Sequence, residues 1–340
     1  MSHDDHDHGH SHDEHTHGHG HHGHTHEPNY ELLSSERGIW AVKWSFVLLA
    51  ITAVLQLGVV IYSHSIALLA DTIHNFGDAT TAVPLWLAFR LARWKPTKRF
   101  TYGYGRVEDL AGVAVVGTIL FSAIIAGWQA IQRLLHPEPM HGLGAVAVAA
   151  VIGFIGNEIV AQFRIKVGEE ISSAALIADG HHARIDGWTS LSVLLGAAGT
   201  WLGYPIIDPL VGIGITIAIF GIVWESMKTV FTRMLDGVEP EMIDEIRGAV
   251  AHCDGVKDVA EIRARWIGHR LHAEINLAVS PGLSVEQGHR IAARVRHELL
   301  HELPKIANAT IHVDPDTESG EAFHEHEMEE VVAARSHGEL

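Results

Sequence analysis

Two twelve-residue stretches of this chain resemble one another at a constant offset of 108 residues, Ala67 to Asp78 and Ala175 to Asp186. Each carries an aspartate, a histidine three residues later and a second aspartate four residues after that: Asp71, His74 and Asp78 in the first, Asp179, His182 and Asp186 in the second. Side chains at i and i+4 project from one face of a helix, so each copy sets an imidazole beside a carboxylate. Two such helices face to face supply two imidazoles and two carboxylates, a sufficient donor set for one tetrahedral divalent cation. Both copies lie in apolar stretches long enough to cross a bilayer, where an ionisable residue costs about 2.5–3.5 kcal/mol and marks a functional site by default. The pattern therefore reads as a metal site inside a membrane, with His74, Asp78, His182 and Asp186 as ligands. Asp71 and Asp179 have two readings: partners that orient the imidazoles or carry protons, or residues that cap or pair near the membrane rim.

The elements that must position these residues are helices. The 340 residues are 47% hydrophobic and 19% charged, a membrane-protein composition. Six apolar spans follow one another at about 41–63, 66–90, 109–133, 143–163, 172–201 and 206–231, each near the ~20 residues a crossing needs. Basic residues sort to one side: Arg90, Arg93, Lys95, Lys98, Arg99 and Arg106 after span two, Arg164 and Lys166 after span four, Lys228 and Arg233 at the end of span six. Arg133 stands on the other side. The positive-inside rule then places both termini in the cytoplasm, in a multi-pass protein of the plasma membrane. The net charge of −17 argues against nucleic acid as a partner. The single cysteine, Cys253, excludes a disulfide framework.

Around this membrane part lie three other segments. Residues 1–36 hold twelve of the 28 histidines among Gly, Asp, Ser and Thr; they have no apolar face to bury and read as a disordered, metal-capturing leader. The six-span domain covers 37–235. From 236 to 316 the pattern is that of a soluble domain: a helix from Pro240, strands over 256–265 and 271–279, a helix opened by the capping box Ser284–Gln287, and a strand over 309–313. The order αββαβ is that of a ferredoxin-like α+β sandwich with its helices on one face. Residues 317–340 form an acidic, flexible tail.

On these residues the chain resembles the cation diffusion facilitator family, zinc-type divalent metal transporters that work as homodimers with alternating access. The resemblance rests on His74-x3-Asp78 in the second span, His182-x3-Asp186 in the fifth, the span count and the ending Ile311-His312-Val313-Asp314-Pro315. It implies that the four intramembrane residues are the transport site and that the C-terminal domain dimerises. It also implies an ion pair between Arg106 and Asp236, where the two domains meet; the alternative is two solvated loop charges. His289, His312 and Asp314 fall on the family's regulatory metal positions, but Ala260 and Asn276 occupy two others, so a regulatory site would need His269 and His272 as well. A second site known in the family has no counterpart, because Tyr104 replaces its histidine.

The donor chemistry leads to the same place. Histidine must lose its proton to bind metal, so metal and protons compete for one site, and a reference pKa of about 6.5 puts that competition in the physiological range. The expected activity is Zn²⁺ efflux in exchange for protons, with no organic cofactor and no enzymatic reaction. The rivals are a transporter preferring Co²⁺, Ni²⁺ or Cd²⁺, a membrane-anchored metal sensor or buffer, and a zinc protease using His297-Glu298-x-x-His301. That last motif lies far beyond the sixth span, on a helix whose apolar face is claimed by Leu299 and Leu303.

Overall fold

The computed structural model describes residues 30–63, 82–136, 142–204 and 206–317. The histidine-rich leader, the acidic tail and the first copy of the repeat, with Asp71, His74 and Asp78, lie outside the described residues. Within them the chain runs α1 (Tyr30–Ser63), α2 (Ala82–Ala92), α3 (Arg106–Leu135), α4 (Leu143–Glu170), α5 (Ala174–Trp201), α6 (Ile207–Met234), α7 (Pro240–Ala251), β1 (Val256–Ile267), β2 (Arg270–Val279), α8 (Val285–Glu302) and β3 (Ile306–Pro315).

Four of the helices, α1, α3, α4 and α6, are long and apolar enough to cross a membrane. Helix α5 is as long as α4 at 28 residues, but Asp179, Arg184 and Asp186 interrupt its apolar run. It packs against α3, α4 and α6. Helix α4 lies along it through glycine: a Cβ on Gly180 would stand 3.0 Å from the backbone nitrogen of Ile165, and one on Gly168 3.0 Å from that of Ile177. Small residues at a membrane helix interface let the backbones approach, and close packing then replaces the hydrophobic drive that lipid cannot supply. On another side of α5, a Cβ on Gly199 would meet the Ile207 side chain of α6 at 2.6 Å.

Helix α4 corrects one expectation. Hydropathy ended the fourth span near residue 163, with Arg164 after it, whereas the helix continues to Glu170 and buries Arg164. Asp208 sits inside the first turn of α6 and pairs with Arg133 at 3.2 Å.

The C-terminal domain has the expected order. Strand β2 pairs antiparallel with β1 and parallel with β3, the parallel pair being joined by the crossover helix α8. Ser284 caps that helix in a reciprocal capping box with Gln287. Met242, Ile246 and Val250 of α7 and Val295 and Leu299 of α8 pack on Leu271, Ile275 and Leu277 of β2; spacing of three or four on the helices and two on the strand brings those positions to one layer. Strands β1 and β2 turn through two residues, Gly268 and His269, with Ile267 paired to Arg270. Gly268 has φ +63°, which a tight hairpin demands and only glycine adopts freely.

Candidate metal centre

His182 and Asp186 stand one helical turn apart on α5, with Nε2 of the imidazole 4.0 Å from Oδ2 of the carboxylate. They are 1% and 9% exposed. The Thr189 and Ser190 hydroxyls both donate to the Asp186 carbonyl, at 2.8 and 3.1 Å, which turns their polarity inward along the same helix. A cavity of about 100 Å³ opens beyond this level, away from the C-terminal domain, and includes Thr189, Ser192, Arg133 and Asp208 in its lining. A space of that size and polarity accommodates several waters. One imidazole and one carboxylate form half of a four-ligand site. Among the described residues no group of three or more His, Cys, Asp or Glu converges on a point, so α5 does not complete a site with its described neighbours.

Asp179 is drawn elsewhere. Its Oδ2 lies 2.8 Å from Nη1 of Arg164, and both side chains are buried, at 0% and 1% exposure. Of the two readings offered for Asp179, pairing is the one the geometry favours, with both side chains buried in the protein. Arg164 and Asp179 thus pin α4 to α5 one turn below His182. Arg184 reaches Glu158 of α4 at 3.4 Å across the partly open side of α5.

The five candidate ligands of the C-terminal domain do not assemble. His312 Nε2 pairs with Asp314 at 2.7 Å on β3, and His289 is exposed on α8. His272 faces the Tyr102 ring, with centroids 6.1 Å apart. His269 is at the hairpin tip, seven residues from Asn276, the β2 residue level with His312, or about 23 Å at 3.3 Å per residue. It is 2% exposed; its Nδ1 lies 2.6 Å from Glu108 and its Nε2 3.0 Å from the Ser34 hydroxyl. An imidazole engaged on both nitrogens has no lone pair to offer a cation, so among the described residues His269 joins no metal cluster.

Where the two domains meet, the charges are matched one by one. Arg106 at the start of α3 pairs with Asp236. Arg233 at the end of α6 donates to the Ser172 carbonyl at 2.6 Å and sits over the Trp266 ring at 4.3 Å. Trp266 in turn donates Nε1–H to Glu239. Burial raises the pKa of Glu239, but its own backbone amide, the Arg233 charge and the Trp266 donor together outweigh that and hold it below the ordinary glutamate value. Arg164, Glu108, Arg233 and Glu239 were not singled out as site residues from the sequence. His297 and His301 are exposed on α8.

Residues 42–235 match the model of the cation efflux transmembrane domain, and residues 238–316 that of the cation efflux protein cytoplasmic domain. A probable cation efflux system protein of Mycobacterium tuberculosis is 54% identical over 84% of this chain and 86% of its own length. The manganese efflux system protein MneP of Bacillus subtilis is 28% identical over 83% of this chain and 99% of its own. Among solved structures, a manganese form of a MamM CTD variant aligns at 27% identity over 22% of this chain and 95% of that one, with a TM-score of 0.22.

Proposed function

The chain belongs to the cation efflux family of divalent-metal transporters, integral membrane proteins, and on that premise we propose that it exports Zn²⁺ in exchange for protons. The cargo site is His74, Asp78, His182 and Asp186. The observation that carries this reading is the burial of an imidazole and a carboxylate side by side on α5, one helical turn apart.

Two imidazoles favour zinc over manganese. Imidazole suits Zn²⁺, whereas carboxylate, carbonyl and water sets suit Mn²⁺. Each histidine sheds its proton to take the cation and regains it on release, so the site alternates between metal and protons without further machinery. The basic residues around Arg90 to Arg106 and at Arg233 put the C-terminal domain and both termini in the cytoplasm, at the plasma membrane. The C-terminal domain joins two copies into a homodimer.

The test is uptake into vesicles of the reconstituted full chain under an imposed pH gradient, with Zn²⁺, Co²⁺, Ni²⁺, Cd²⁺ and Mn²⁺ compared. Zn²⁺ uptake accompanied by proton counterflow is expected, and His182→Ala should lower it at least tenfold while the protein still inserts. Undiminished zinc uptake by His182→Ala, or vesicles that pass Mn²⁺ in preference to Zn²⁺, overturns the proposal.

A further inference from the structure

The tip of the β1–β2 hairpin is seated in the end of the membrane bundle. Four helices meet around the one imidazole of His269. Ser34 and Ser35 of α1 approach Nε2 at 3.0 and 3.4 Å; Phe89 of α2 lies 5.8 Å away, ring to ring; Glu108 of α3 holds Nδ1 at 2.6 Å. The fourth helix is reached through Glu108, whose other oxygen accepts from the Ser173 hydroxyl at 2.5 Å. Ser173 is the N-cap of α5, its oxygen accepting from the Leu176 amide at 3.1 Å.

The backbone closes around the same point. Gly268 donates its amide to Asp109 at 3.2 Å. A Cβ on Gly268 would stand 2.8 Å from the Gly105 carbonyl, and one on Gly105 2.9 Å from the Ile267 carbonyl. A buried histidine facing a carboxylate on one nitrogen and hydroxyls on the other is fully satisfied, because Nδ1–H donates to Glu108 while serine hydroxyls serve either role at Nε2. The seat is therefore a specific joint, and it ends on the helix that carries His182 and Asp186. His182 is nine residues beyond Ser173, about 14 Å along the helix axis at 1.5 Å per residue.

We propose that His269 is a positioning residue for transport: acting through Glu108 and Ser173, it fixes the capped end of α5 and thereby the placing of His182 and Asp186 against their partner ligands. The proposal rests on the transport reading above. A run of packed hydrogen bonds between two domains earns the word coupling only when a perturbation at one end is felt at the other, and the chain His269–Glu108–Ser173 names both ends.

The experiment uses the full chain in vesicles with two readouts, amide hydrogen exchange of the first turn of α5 (Leu176 and Ile177) and the concentration dependence of Zn²⁺ uptake. Exchange reports local opening of that turn whether or not cargo moves. In His269→Ala the α5 amides should exchange at least tenfold faster and KM for Zn²⁺ should rise about fivefold, with maximal rate within twofold and the β2 amides still protected. His269→Gln, which keeps a donor of similar reach, should bring KM back within twofold of the parent. Lys257→Ala, at the far end of β1, should change neither readout. Glu108→Gln should act in the same direction as His269→Ala, and decides the matter if the latter loses its β2 protection. Wild-type exchange at α5 and wild-type KM in His269→Ala, or in Glu108→Gln where that variant decides, overturns the proposal. A parent protein that moves no Zn²⁺ refutes the transport reading alone, and the exchange readout still judges the joint.

Discussion

Arg164 and Asp179 give the sharpest test of what holds α4 against α5. The pair is closed at 2.8 Å with both side chains essentially out of solvent, and Arg164 Nε and Nη2 are buried without a hydrogen-bond partner among the described residues. Removing one member strands the other charge in the interior. Loss of a single partner from a buried ion pair costs about 3–5 kcal/mol, whereas replacing both by apolar groups of similar volume is often neutral, or stabilising by about 1–4 kcal/mol, because it removes two desolvation penalties at once. The unsatisfied donors on Arg164 place this pair among those that pay the desolvation cost incompletely. Asp179→Leu and Arg164→Met should each lower stability by roughly 3 kcal/mol or more. The double variant should be no less stable than the better single one, giving a coupling energy of about 3 kcal/mol in the double-mutant cycle. Reversible denaturation of the detergent-solubilised chain, followed by helical signal, measures all four corners. The double variant should also transport Zn²⁺ with near-parental KM, since the pair takes Asp179 away from the His182 ring. Additive losses in the cycle would refute the reasoning, and loss of transport in a stable double variant would restore Asp179 to the metal site.

Further predictions follow from the joint and its surroundings. The Glu239 carboxyl lies below its ordinary pKa, so its contribution to stability is fully present above the unfolded value near 4.5 and is lost as pH falls through the folded one; the gap in thermal stability between the parent and Glu239→Gln should be widest near neutrality and close in acid, and a gap independent of pH would refute this assignment. Gly268→Ala forces a side chain into φ +63° and against the Gly105 carbonyl at 2.8 Å, which should cost about 2 kcal/mol or more of stability and speed exchange of the hairpin amides. Gly196→Ala would press a methyl group within 2.1 Å of Asp208 Oδ1; it should loosen the Arg133–Asp208 pair and lower the thermal midpoint, whereas Gly214→Ala, with open space around it, should leave that midpoint unchanged.

What could be read from residues alone was whatever repeats at short range. The alternation Leu271, Ala273, Ile275, Leu277, Val279 forces one face of β2 into a core, and the strand and its neighbours lie where that pattern puts them. His182 and Asp186 stood out because two ionisable groups at i and i+4 in an apolar helix have few ordinary explanations. Arg164 was misjudged because hydropathy fell at the point where the helix went on, and a partner fifteen residues away hides a charge that composition counts as exposed. His269 was read as a ligand because a histidine in a turn gives no hint of what will cover it: its carboxylate partner is 161 residues earlier in the chain. Short-range periodicity specifies elements, whereas the choice between a metal ligand and a structural imidazole is made by contacts that only tertiary packing creates.

The seated hairpin also bears on how the molecule is made. Ribosomes deliver the chain from its N-terminus, so α3 is inserted with Glu108 and Asp109 at its leading turn well before Gly268 and His269 exist to receive them. During that interval these carboxylates must be served by water, and the bundle's end stays open. A domain translated after the bundle therefore seals helices made before it, and a chain cut short after Met234 leaves behind a membrane bundle with an unfilled polar socket at its edge.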